Sequence, residues 1–133
     1  DALPISLARS VYQRYQERFR GAEFAPLRAL GAQPQRLLWA STGTKNPAYP
    51  DVLYVESLIG PETINTVPDA TLAAFRDHGV AAPTLESGLE DARNVIRTAG
   101  EAGVDLAEVG EMLQQDGLRQ FDDAFAKLMA LTG

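Results

Sequence analysis

Arg36-Leu37-Leu38-Trp39-Ala40-Ser41-Thr42-Gly43-Thr44-Lys45-Asn46-Pro47 is the stretch on which the reading of this chain turns. Four apolar residues, Leu37 to Ala40, give way to small hydroxylated residues, a Gly, a Lys and an Asn-Pro stop. A short apolar run bounded by turn signals reads as a strand buried on both faces. The polar residues then fall at its carboxyl end, where α/β folds gather their ligand-holding loops. Ser41, Thr42 and Thr44 offer hydroxyls, Gly43 lets the backbone come close, and Lys45 brings a compact positive charge. That chemistry suits an anion, most simply a phosphate. An ordinary polar loop with a solvated Lys is the competing reading, because one Lys in a Ser/Thr loop is a weak motif.

Working outward, Thr63-Ile64-Asn65-Thr66-Val67 reads as a second short buried strand. Two parallel strands need a crossover of a dozen or more residues, and residues 42–62 supply it. Asp51 is a fair N-cap for a helix through Ile59, stopped by Gly60-Pro61. Upstream, Ala8, Val11, Tyr12, Tyr15 and Phe19 follow helical spacing, and a short helical piece spans residues 23–30. Downstream, Pro68 and Asp69 open a helix that runs to His78 and stops at Gly79. The order helix, strand, helix, strand, helix is the repeat of a parallel α/β fold.

The remainder is helical. Leu85, Leu89, Ala92, Ile96 and Ala99 share one face. Asp105 and Glu108 have capping-box spacing and Val104 and Val109 staple spacing, for a helix expected to end at Gly117. Leu118, Phe121, Phe125 and Leu128 mark a last helix. The first six residues, Asp1-Ala2-Leu3-Pro4-Ile5-Ser6, lack an initiator Met and resemble the translation of a sequencing-adapter oligonucleotide. They are set aside as an artefactual or irregular start, and residues 7–133 are read as the fold.

Composition narrows the function. With 133 residues, 45% of them hydrophobic, the chain has matter for one core. A net charge of -6 argues against nucleic acid or an anionic membrane as partner, though not against a small anion met by local positive charge. There is no Cys, so thiol catalysis and thiolate metal sites are excluded, and a single His excludes a multi-His metal cluster. No apolar run is long enough for a membrane span, which makes a soluble, cytoplasmic protein the default. His78 reads as a cap or surface residue, Trp39 as core, and Glu101, Asp105, Glu108 and Glu111 as a solvated face. Two strands alone are too few for a sheet, and a β/α barrel needs eight strands and ~250 residues, so the chain is expected to be part of a larger barrel.

Residues 37–49, then Asp51-Val52-Leu53-Tyr54-Val55-Glu56, residues 63–68 and Asp77-His78-Gly79 closely resemble the carboxyl-terminal part of bacterial transaldolases. The resemblance is to the longer subfamily, which also occurs fused to glucose-6-phosphate isomerase. It implies the end of a (β/α)8 barrel, with residues 37–41 as the seventh strand and 63–67 as the eighth. It implies transfer of a dihydroxyacetone unit between sugar phosphates through a Schiff base, in the pentose phosphate pathway, with no metal or organic cofactor. Sedoheptulose 7-phosphate and glyceraldehyde 3-phosphate would give erythrose 4-phosphate and fructose 6-phosphate. The family's Schiff-base Lys lies on strand four in a Lys-Ile-Pro-x-Thr-like context that this sequence lacks. It is therefore expected upstream, in the missing amino-terminal half of the barrel, with no catalytic residue in this chain. The phosphate-holding roles fall on Ser41 and Lys45, and more weakly on Thr42, Gly43 and Thr44. A different sugar-phosphate aldolase or isomerase barrel, or a non-catalytic helical interaction module, are the alternatives.

Overall fold

The computed structural model describes residues 2–132, side chains of Thr132 excepted. Eight elements follow in order: α1 (Ala2–Arg20), α2 (Ala25–Ala29), β1 (Leu37–Trp39), α3 (Leu53–Ser57), β2 (Thr63–Asn65), α4 (Asp69–His78), α5 (Leu89–Glu101) and α6 (Leu106–Thr132). The chain divides into two compact units, residues 1–96 and 97–133, with the boundary inside α5.

The first unit is built on a pair of parallel strands. Leu37 pairs with Thr63, Leu38 with Ile64 and Trp39 with Asn65. The crossover through α3 returns the chain to the same end, as a parallel pair demands. Both strands are three residues long, shorter than the expected 37–41 and 63–67. Each has a single hydrogen-bonded neighbour, and the ladder closes where Thr66 N donates to Trp39 O at 2.9 Å. Beyond it, Ser41 turns into the left-handed region at φ 57, and Pro68 has no N–H to offer.

The expectation that both strand faces are buried is also corrected. Leu37 and Trp39 face a core of Tyr12, Tyr15, Leu58 and Leu85, whereas Leu38 and Ile64 are 52% and 42% exposed. Side chains alternate across a strand, so one helical layer covers only one face. The other face has no cover among the described residues.

α1 supplies most of that covering layer. Ile5, Ala8, Tyr12, Tyr15 and Phe19, spaced three and four apart, pack on or form the core. Val11 falls off this stripe and is 47% exposed, unlike the expectation. The helix begins at Ala2 rather than Ala8, so residues 2–6 are helical and Ser6 is buried. Tyr12 and Tyr15 stack at 6.1 Å, Tyr15 meets Phe19 at 5.1 Å, and Phe19 meets Phe24 edge-on at 5.1 Å. Burial, together with nearby Glu86 for Tyr12 and Glu62 for Tyr15, raises both phenol pKa values above the ordinary. The Tyr12 hydroxyl donates to Pro61 O at 3.1 Å, fastening α1 to the turn before β2.

Two boundaries differ for local reasons. Leu85 lies before α5 and not within it. It plugs the core, fully buried, while Thr84 N and Leu85 N both donate to Ile59 O at 3.0 Å. Asp51 does not cap α3, whose N-cap is Val52 without a side-chain bond. Its carboxylate is engaged by His78 instead.

In the second unit, α6 runs 27 residues without the break expected at Gly117. A Gly within a helix costs only about 1 kcal/mol relative to Ala, too little to end one flanked by good helix formers. The cap at its start is as read: Asp105 Oδ1 accepts from Ala107 N at 2.8 Å and Glu108 N at 3.2 Å. Among the described residues, no helix is long and apolar enough to cross a membrane.

The Leu85 plug explains Gly60. A methyl placed on Gly60 would lie 2.8 Å from Leu85 Cδ2 and 2.9 Å from its Cβ. Gly60→Ala is expected to cost about 1–3 kcal/mol and Leu85→Ala about 2–5 kcal/mol in urea unfolding. Because Leu85→Ala removes part of the clash, the double variant should lose about 1 kcal/mol less than the sum. Strict additivity would contradict this packing.

Candidate functional site

The loop after β1 leaves the strand at Ala40 and carries the five phosphate-holding candidates, Ser41 to Lys45. Thr42 is buried at 3% exposure, and its hydroxyl donates to Asn65 Oδ1 at 2.8 Å. This ties the loops at the carboxyl ends of β1 and β2 together. With that proton committed, Thr42 acts here as a strut, while Ser41 and Lys45 stand exposed.

Gly43 packs against the start of α4. A methyl there would lie 3.3 Å from Pro68 Cγ and 3.3 Å from Thr71 Oγ1. A side chain there would be a tight fit, and Gly lets the backbone rest on the first turn of that helix without displacing Pro68 or Thr71. Ser41, Gly43, Thr44 and Lys45, with Pro68 and Thr71, line a recess of about 310 Å³. Across the loop, a cavity of about 480 Å³ is lined by the same loop residues together with Ile5, Ala8, Trp39, Tyr49, Tyr54 and Leu58.

The electrostatics favour an anion in a narrow sense. Among the described residues, none pairs with the Lys45 ammonium. Asp69 opens α4, so the helix N-terminus already has one carboxylate near its positive end. Thr44 Oγ1 and Trp39 Nε1 are buried polar atoms without a partner among the described residues, both in residues lining the larger cavity. Leaving such groups unpaired costs about 1–3 kcal/mol each. Among the described residues, no three His, Asp or Glu side chains converge as metal ligands would.

The other candidates fall outside this arrangement. Trp39 packs against the core as expected, and its edge also reaches the cavity. Glu56 Oε1 accepts from Val80 N at 2.7 Å, a structural use. His78 stands near neither recess. Its Nε2 is 2.9 Å from Asp51 Oδ1 and its Nδ1 3.2 Å from Asp77 Oδ2. Asn65 and Thr71 escaped sequence reasoning. No clear signal marked either one: Asn65 sits in a mixed stretch with Thr63, Ile64, Thr66 and Val67.

The family model for transaldolase/fructose-6-phosphate aldolase matches residues 1–132. The chain belongs to this family. A transaldolase of Neisseria meningitidis serogroup C is 52% identical over 128 residues, covering 96% of this chain and 36% of that relative. A transaldolase of Thiobacillus denitrificans is 51% identical over 129 residues, covering 97% and 36%. One from Parafrankia is 48% identical over 126 residues, covering 94% and 34%. The chain thus spans about a third of the length of the curated relatives it matches.

Ser41 offers a direct check on the loop geometry. At φ 57 a β-branched residue is strongly disfavoured and Gly is at ease. Ser41→Val is expected to lower stability by about 1–3 kcal/mol although the position is exposed, and Ser41→Gly to leave it within about 0.5 kcal/mol. Equal, small effects of both substitutions on thermal unfolding would contradict the left-handed turn.

Proposed function

We propose that this chain is the carboxyl-terminal part of a transaldolase barrel and carries its grip on the substrate phosphate. In this reading β1 and β2 are the last two strands of the (β/α)8 barrel. The exposed side chains Leu38 and Ile64 face the barrel interior, and the amino-terminal strands complete it. The enzyme moves a dihydroxyacetone unit from sedoheptulose 7-phosphate to glyceraldehyde 3-phosphate, in the pentose phosphate pathway of the cytoplasm.

The observation that carries the reading is the loop itself. At the carboxyl end of β1, Ser41, Gly43, Thr44 and the unpaired Lys45 line a recess against the first turn of α4. Loops after the last two strands are where barrels commonly hold phosphate. Lys45 supplies charge, Ser41 and Thr44 supply hydroxyl protons, and Thr42 holds the loop in place through Asn65.

Lys45 is not the Schiff-base nucleophile in this account. A nucleophilic Lys needs an apolar pocket to shed its proton, and Lys45 is exposed among Thr, Gly and Asn. The only other Lys is Lys127, on α6. The Schiff-base Lys and the acid/base carboxylates lie in the upstream part of the enzyme, so the 133 residues alone carry no transfer activity. The family description also names fructose-6-phosphate aldolase, but the Neisseria and Thiobacillus relatives near 50% identity bear the name transaldolase, which favours transfer.

In the complete enzyme, Lys45→Ala should weaken use of phosphorylated substrates by about ten- to a hundred-fold, as expected for loss of a charge-assisted contact. Part of this should appear in kcat, because phosphate binding also orients the reacting carbonyl. Turnover of dihydroxyacetone with an aldehyde acceptor should barely change. An equal loss on phosphorylated and unphosphorylated substrates would refute the phosphate role.

A further inference from the structure

The loop that carries Ser41 and Lys45 is fastened at both ends to elements that follow it in the chain. At its start Thr42 is bonded to Asn65, and Gly43 rests on the first turn of α4. At its far end Asp51 Oδ1 meets His78 Nε2 at 2.9 Å, at the last turn of the same helix. Ten residues of α helix span ~15 Å, so the loop lies along α4 and is pinned near each of its ends. Between the pins, Asn46 stiffens the turn: its Oδ1 accepts from Ala48 N at 2.9 Å and its carbonyl from Tyr49 N at 3.1 Å.

We propose that the Asp51–His78 bridge is a positioning latch that holds residues 41–51 against α4 and so keeps the phosphate grip in place, and that it loosens when His78 loses its proton. The latch rests on the reading of Ser41 and Lys45 as that grip.

The ring geometry itself calls for the protonated form. Both nitrogens of His78 face carboxylate oxygens, Asp51 at 2.9 Å and Asp77 at 3.2 Å. A neutral imidazole has one N–H and serves one of them; the imidazolium serves both. The other charged groups close by are Arg76, in the same last turn, and Glu56 of α3, whose Oε1 is bonded to Val80 N. The bond to Asp51, then that to Asp77, raise the His78 pKa above its ordinary value. A raised folded-state pKa means that the bridge is complete below about pH 6.5 and is lost as pH climbs through the raised value. His78 and Asp51 are half exposed, so the latch is weak and tunes the loop without building it.

The test uses the full-length enzyme, with hydrogen exchange of the 41–51 peptide and the KM for fructose 6-phosphate both followed from pH 6 to 9. At pH 6, His78→Gln and Asp51→Asn should speed exchange of that peptide and raise KM by about two- to five-fold, with a smaller fall in kcat. The wild type should drift toward the same values as pH rises, after correction for intrinsic exchange. His78→Lys keeps a permanent cation opposite Asp51 and should hold the low-pH behaviour to pH 9. Unchanged loop exchange in His78→Gln and Asp51→Asn, or a His78→Lys enzyme that behaves like His78→Gln, overturns the latch. Lys45→Ala separates the two readings. If it raises KM while the latch variants change nothing, the latch alone fails. If it leaves KM unchanged, the phosphate grip fails and the functional role of the latch falls with it.

Discussion

Parallel pairing of two three-residue strands is the constraint from which the rest of the first unit follows. A parallel ladder cannot be closed by a tight turn, so the chain must leave β1, pass through α3 and come back. That excursion places the carboxyl ends of β1 and β2 side by side, with the loop of residues 41–51 on one and α4 on the other. The pairing is short and leaves one face open. Its stability therefore leans on the helical layer behind it, where Tyr12, Tyr15, Leu58 and Leu85 bury the Leu37 and Trp39 side.

The same constraint explains why the candidate site takes the form of a braced loop. Ser41 takes a left-handed turn immediately past the ladder, which aims the following residues toward α4. Thr42 ties back to β2, Gly43 rests on Pro68 and Thr71, and Asp51 reaches the far end of α4. Structural bonds occupy Thr42, Asn46 and Asp51, while Ser41 and Lys45 stand exposed, with no side-chain bond among the described residues. Bonded and exposed side chains thus alternate along a dozen residues, and only packing tells them apart.

That division marks what the sequence made legible. The apolar run at residues 37–40, the polar break after it and the stretch at 63–67 revealed a parallel α/β repeat. Periodicity brought out the α1 stripe of Ala8, Tyr12, Tyr15 and Phe19. The capping chemistry of Asp105 was readable because it is local. What stayed hidden depends on distant partners. Asp51 looked like a helix cap because its true partner, His78, lies 27 positions away. Leu85 fitted a helical face by spacing, yet it serves as a core plug held by Ile59 O. Strand ends were overestimated: the expected 37–41 and 63–67 run on past Trp39 and Asn65, where the pairing ends. Gly117 was read as a stop, although one Gly is a small penalty in a helix of 27 residues.

Anion recognition by the loop after β1 is measured most directly by ligand titration followed by backbone NMR of the full-length enzyme. Glycerol 3-phosphate and glycerol, titrated in parallel, differ only in the group that the loop is said to hold. Shifts confined to the amides of Ser41, Thr42, Gly43, Thr44 and Lys45 and to the first turn of α4, seen with the phosphate ester and absent with glycerol, are the expected result. Shifts from glycerol 3-phosphate that bypass this loop, or the same loop shifts with both compounds, would contradict it.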